Sequence, residues 1–275
     1  MAEQPEPGGR TLTERILLRD QMVTVTGLVL ITGLSWWWLL MGAGTGMSVT
    51  AMTTWSFPPP ERPSMVTDWT LAYAVTMVVM WWVMMIAMMT PSAAPMVLLY
   101  GTAHRHEAGR GKLETAAAPT FAFFCGYLAA WLVFSVVATG LQWALELAGL
   151  VHAMLMWSID RQFSGAFLIM AGAYQFSPFK QACLRHCRAP AVFLARHYRR
   201  GTAGAFRMGL THGLYCLGCC LLLMALLFVG GIMNLVWIAG LAILVLLEKL
   251  LPRGEAISRL AGVVFLVSGL WLMLA

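Results

Sequence analysis

The chain has 275 residues, of which 60% are hydrophobic and only 11% charged, with a formal net charge of +6. Soluble domains carry about a quarter charged residues, so a water-soluble globular protein is excluded. The apolar excess falls in long blocks, most reaching the roughly 20 residues that cross a bilayer as a helix, not in the alternating ten-residue segments of a membrane barrel. The predicted fold is all-α, a polytopic transmembrane helical bundle, and a basic balance of this kind needs no nucleic acid.

Residues 1–20 are polar and read as a cytoplasmic tail without a cleavable signal, and 21–275 read as a single integral membrane domain. Seven spans are expected, at about 22–42, 70–90, 120–147, 161–177, 208–229, 232–250 and 257–274. Pro91 and Pro95 predict a kink or a short extra segment after the second span. The segment 43–68, with "TTWSFPPPERP", is expected across the outer face, with Trp55 and Trp69 at headgroup level. "VGGIMN", 229–234, predicts a tight external turn that makes the fifth and sixth spans a hairpin.

Orientation follows from the basic residues. Arg10, Arg15 and Arg19 precede the first span; Arg105, Arg110 and Lys112 follow the second. Lys180, Arg185, Arg188, Arg196, Arg199, Arg200 and Arg207 follow the fourth, and Lys249, Arg253 and Arg259 flank the last loop. Seven spans put these sixteen of eighteen Lys and Arg on one face, leaving Arg62 and Arg161 on the other. Basic loops stay cytoplasmic, which predicts the N-terminus in and the C-terminus out, in a bacterial inner membrane.

The residues that could carry chemistry are soft donors. In the second span Met77, Met80, Met84 and Met88 form one stripe, and Met85 and Met89 a neighbouring one. Thioethers can hold Cu(I) without burying an anion, although methionine also fills cores. Past the fourth span, "QACLRHCRAP" offers Cys183, His186 and Cys187 as a shallow cytoplasmic cluster whose arginines are expected to lower the thiol pKa values. In the fifth span, "THGLYCLGCC" sets His212, Cys216, Cys219 and Cys220 on one stripe. His212 and Cys219 stand about 10 Å apart along the axis, too far for one ion. These cysteines are expected near mid-bilayer, where an unpaired thiolate is disfavoured. Cys125 alone reads as packing. Glu248 is a candidate by its depth, with a local pair to Lys249 or snorkelling as the plain alternative. Gln175 and Asn234 read as interhelical hydrogen-bonding residues, and His104 and His106 as solvated.

"MMIAMMTPSAAPM", "GAYQFSPFKQACLRHCRAP", "GLYCLGCCLLLMALLFVGGIMNLVW" and "EKLLP" resemble the signature blocks of an uncharacterised bacterial family of predicted metal-binding integral membrane proteins, over roughly residues 70–252. The resemblance implies an inner-membrane protein with a metal site, and its motif positions in this chain are Met84, Met85, Met88, Met89, Pro91, Cys183, Cys187, Cys216, Cys219, Cys220 and Glu248. Leu221 stands where the family more usually has tryptophan.

The leading expectation is a protein that binds, transports or relays a soft ion, Cu(I) before Zn, working with a metallochaperone or a membrane complex rather than as an enzyme. Two alternatives remain open: a membrane thiol–disulfide protein, since Cys216-x-x-Cys219 has a redox spacing, and a non-catalytic assembly subunit.

Overall fold

The computed structural model describes residues 12–46, 48–59, 68–108 and 117–274. Residues 1–11, Arg62, Arg110, Lys112 and Ala275 lie outside the described residues. In chain order the helices are α1 (Leu12–Leu40), α2 (Val49–Met52), α3 (Leu71–Ala108), α4 (Ala117–Leu147), α5 (Arg161–Gln175), α6 (Pro178–Arg188), α7 (Pro190–His197), α8 (Gly201–Ala225), α9 (Leu227–Gly230), α10 (Leu235–Leu250) and α11 (Gly254–Leu274).

Among the described residues, five segments are long and apolar enough to cross a membrane: Gln21–Leu40, Leu71–His104, Ala118–Leu147, Gly201–Gly230 and Gly254–Leu274. The other two expected spans exist as helices, but α5 has 15 residues and α10 has 16. At about 1.5 Å per residue they cover only about 22–24 Å. Large apolar side chains such as Leu30, Val133 and Val267 remain exposed along α1, α4 and α11, as lipid-facing helices require.

Both prolines sit inside α3, which runs on past them for 38 residues in all. Pro91 cannot donate to the Ala87 carbonyl one turn back. The Trp36 indole of α1 donates to that carbonyl at 3.2 Å and replaces the missing bond. The fourth span does end where "YQFSPFK" suggests. Ser177 caps a new helix by accepting from Lys180 N at 3.1 Å, and Pro178 occupies its first turn.

Glycine sets the closest helix pairs. α4 and α8 run parallel, and a Cβ at Gly209 would stand 1.8 Å from the Phe123 carbonyl. α5 and α11 run antiparallel with reciprocal glycines: a Cβ at Gly165 would meet the Gly269 carbonyl at 2.9 Å, and one at Gly172 the Gly262 carbonyl at 2.8 Å. Small residues let membrane helices approach closely when lipid supplies no hydrophobic drive. α3 lies antiparallel to α4, where Trp82 donates to the Leu128 carbonyl at 3.0 Å and Trp81 to Gln142 Oε1 at 2.9 Å.

The turn at "VGGIMN" forms with Gly231 at φ 108°, open to glycine but strained for other residues. Asn234 does more than bridge helices. Its Oδ1 caps α10 at Val236 N, and its Nδ2 donates to the Thr54 and Gly230 carbonyls. The expected α8–α10 hairpin is only a minor contact, because α8 lies mainly on α4 and α6, and α10 on α3 and α11. Of the two tryptophans expected at the outer face, Trp55 is exposed, while Trp69 donates to Glu146 Oε2 at 2.8 Å.

Candidate functional site

The site begins with the sequence periodicity of α6. Lys180, Cys183, Leu184 and Cys187 follow the three–four spacing of one helix face, and that face lies inward while Arg185 is exposed. Gly218 of α8 makes the docking possible. A Cβ there would stand 2.8 Å from Cys183 Sγ, so the glycine inside "CLGCC" is the seat of the other helix.

Docking brings Cys187 Sγ to 3.9 Å from Cys219 Sγ. The shallow cytoplasmic cluster and the fifth-span cluster, expected as separate, are therefore one sulfur pocket. The Cys219 and Cys220 thiols donate back to the Cys216 carbonyl at 3.0 and 2.9 Å. In those rotamers no group of three or more His, Cys, Asp or Glu among the described residues is arranged to hold an ion.

Cys216 Sγ has two further partners. It lies 2.9 Å from Lys249 Nζ and 3.2 Å from the Tyr127 hydroxyl. Lys249 also donates to Ser92 Oγ at 3.1 Å, and Ser92 and Tyr127 both reach the Met89 carbonyl, at 2.9 and 3.3 Å. These bonds tie α3, α4, α8 and α10 together at one level.

Lys180 and Glu248 correct two expectations. Lys180 is fully buried, not a cation of a solvated loop, and its Nζ pairs with Glu248 Oε2 at 2.8 Å. Glu248 therefore neither snorkels nor pairs with Lys249. Its other oxygen accepts from Gln175 Nε2 at 3.0 Å, and Gln175 Oε1 accepts from Ser258 at 3.2 Å. Gln175 is the interhelical residue expected. Glu248 and Lys249, adjacent on α10, point into different networks, one latching α6 and the other facing the sulfurs.

The histidines do not join the sulfurs. His186 stacks on Tyr215 with ring centroids 4.3 Å apart, and its Nδ1 bonds the Ala182 carbonyl at 2.8 Å. His212 is buried among Phe123, Tyr127 and Phe193, and its Nδ1 has no hydrogen-bond partner. His104, expected in solvent, is buried, stacked on Tyr100 and bonded to Tyr198 at 3.2 Å; the His106 side chain lies outside the described residues. The Cys183 thiol is pushed up by burial, with Cys219 adding to the shift, because Cys183 faces α8 and not the arginines.

Met77, Met80, Met84, Met85, Met88 and Met89 are all buried along α3. The hydrogen bonds to the pocket come from the Met89 carbonyl, one turn beyond Met84 and Met85. At the far end of the stripe Met77 Sδ accepts from Gln142 at 3.7 Å. Gly218, Tyr127 and Lys249 are the residues that cysteine spacing does not reveal; the "EKLLP" block contains Lys249, but only the fold turns it to sulfur.

A family model described as "PpoB2: Copper chaperone" matches residues 78–272. No curated protein and no solved structure matches the chain.

Removing one member of the Lys180–Glu248 pair leaves the other charge buried, which costs about 3–5 kcal/mol. Lys180→Met is expected to lower the thermal midpoint of the reconstituted protein sharply. Lys180→Met/Glu248→Gln, which keeps an acceptor for Gln175, is expected to regain most of it. A single variant as stable as the parent would show that this pair does not hold α6.

Proposed function

Because the chain belongs to the PpoB2 family, described as a copper chaperone, we propose that it carries Cu(I) in the sulfur pocket between α6 and α8. The observation that carries the reading is the Cys187–Cys219 separation of 3.9 Å across two helices. With metal–sulfur bonds of about 2.3 Å, two thiolates on one ion at 120° stand about 4 Å apart. The pair needs the Cys219 thiol turned from the Cys216 carbonyl, not a rebuilt backbone. Cys187 and Cys219 hold the ion, and Cys216 is a third thiol to which it can pass.

The buried thioethers continue the set. Met88, Met84, Met80 and Met77 offer neutral soft donors along α3 over about 16 Å between the pocket level and Gln142. This stripe supports a relay of Cu(I) through the protein over simple storage, in exchange with a metallochaperone or membrane complex. Zinc loses ground: it favours four closed ligands, both histidines stand outside the pocket, and methionine suits zinc poorly. A thiol–disulfide reading is favoured by the same sulfur pair, now Cys187 with Cys219 and not Cys216 with Cys219.

The topology that fits is seven crossings of a bacterial inner membrane, with the N-terminus inside. The parallel run of α4 with α8 and the antiparallel runs of α3 with α4 and α5 with α11 support that alternation. Short α5 and α10 end together at Gln175 and Glu248, and Arg188 donates to the carbonyls of Leu251 and Pro252 beside them. Helices of about 22–24 Å fall short of a hydrocarbon core of about 30 Å, so α5 and α10 cross where the bilayer thins locally around them. The pocket then lies level with the cytoplasmic ends of α5 and α10, while α3, α4 and α8 extend beyond it toward the cytosol. Reporters fused after Arg196 and at the C-terminus are expected to read inside and outside. A C-terminal reporter reading inside would show that α5 or α10 does not cross.

Anaerobic titration against a Cu(I) chelator tests the cargo. One Cu(I) per chain is expected for the parent and for Cys125→Ser. Losing an outer-shell partner of a metal costs about 10–100-fold, so Cys187→Ser or Cys219→Ser is expected to weaken binding by about a hundredfold or more. Parent protein that binds no Cu(I), but exchanges disulfides through Cys187, would transfer the site to the redox reading.

A further inference from the structure

Lys249 is buried to 6% exposure beside thiols, not beside a carboxylate. A buried cation ordinarily persists because an anion pairs with it. The nearest candidate in sequence, Glu248, is already engaged by Lys180 and Gln175. Lys249 Nζ instead donates to Cys216 Sγ at 2.9 Å and Ser92 Oγ at 3.1 Å. Four helices converge to hold this one ammonium against the sulfur pocket: α10 carries it, α3 supplies Ser92, α8 supplies Cys216, and α4 supplies Tyr127 on the other side of Cys216.

We propose that Lys249 is the fixed counter-charge of the sulfur pocket and makes it selective for a monovalent ion. This rests on the Cu(I) reading above. Two thiolates holding one monovalent ion carry a net charge of −1, and the Lys249 ammonium brings the pocket to zero. The same two thiolates holding a divalent ion are already neutral, and the ammonium then leaves an unbalanced +1. In a site from which water is excluded, an unbalanced charge is disfavoured far more than at a surface. The lysine thus favours the loaded state for Cu(I) and opposes it for Zn(II), although the thiols alone accept both. Lys249 acts through the charge of the site; it is not a ligand.

The sign of this effect separates it from a packing role. Parent, Lys249→Met, Lys249→Gln and Lys249→Arg proteins are titrated separately with Cu(I) and with Zn(II), each against a competing chelator. Lys249→Met and Lys249→Gln are expected to bind Cu(I) at least tenfold more weakly and Zn(II) no more weakly than the parent, so the Cu(I)/Zn(II) preference falls at least tenfold. Lys249→Arg, which keeps the charge, is expected to restore that preference. Gln keeps a donor for Ser92, so it tests charge even if the methionine variant does not fold. Equal weakening for both ions, or a preference unchanged in Lys249→Gln, would overturn the proposal and leave Lys249 a structural residue. A parent that binds no Cu(I) would instead defeat the cargo reading itself.

Discussion

The pocket depends on one docking event, the seating of α6 against α8 and α10. Lys180 enters the bundle as a cation and meets Glu248 at 2.8 Å. Cys183 rests on the bare backbone of Gly218. Between these two points the helix has no freedom to rotate, and Cys187 must arrive beside Cys219. A buried ion pair adds little net stability over an apolar pair, but it disfavours every register in which its charges are unmatched. Here that register is what turns one helix's thiol toward another's.

The same separation of charges explains the paired residues of α10. Glu248 and Lys249 are neighbours, about 100° apart around the helix. Each is drawn to a partner on a different element, so the acidic residue fastens α6 while the basic one stays available to sulfur. Were they paired with each other, α6 would have no anchor and the thiols no cation. Soft uncharged thioethers along α3 complete the picture, since they add donor atoms to a low-dielectric interior without adding charge.

Much of the architecture was legible in the sequence. Long apolar blocks located seven helices, whereas the serine cap and proline that open α6 show only in the structure. The lengths of α5 and α10 were less legible, because apolar composition does not say where a helix meets a polar boundary. Within the site, three- and four-residue spacings put Cys216, Cys219 and Cys220 on one stripe of α8. They could not say that Cys187, 32 positions from Cys219, completes the group. Spacing also gathered His212 with the cysteines, whereas aromatic rings enclose it. Lys180, Arg185 and Arg188 looked alike as basic residues of one loop; only the inward face of α6 distinguishes the first. Gly218 carries no signal in cysteine spacing, and its meaning is the absence of a side chain where another helix lands.

The central claim is that two helices share one sulfur site. It is tested most directly in membranes carrying a chain whose only cysteines are Cys187 and Cys219, treated with a mild thiol oxidant and analysed by peptide mass spectrometry. The account predicts a Cys187–Cys219 disulfide within single chains in the metal-free protein, and protection from it after loading with Cu(I). Two thiols that alkylate freely but never cross-link would contradict it, as would cross-linking that Cu(I) leaves unchanged.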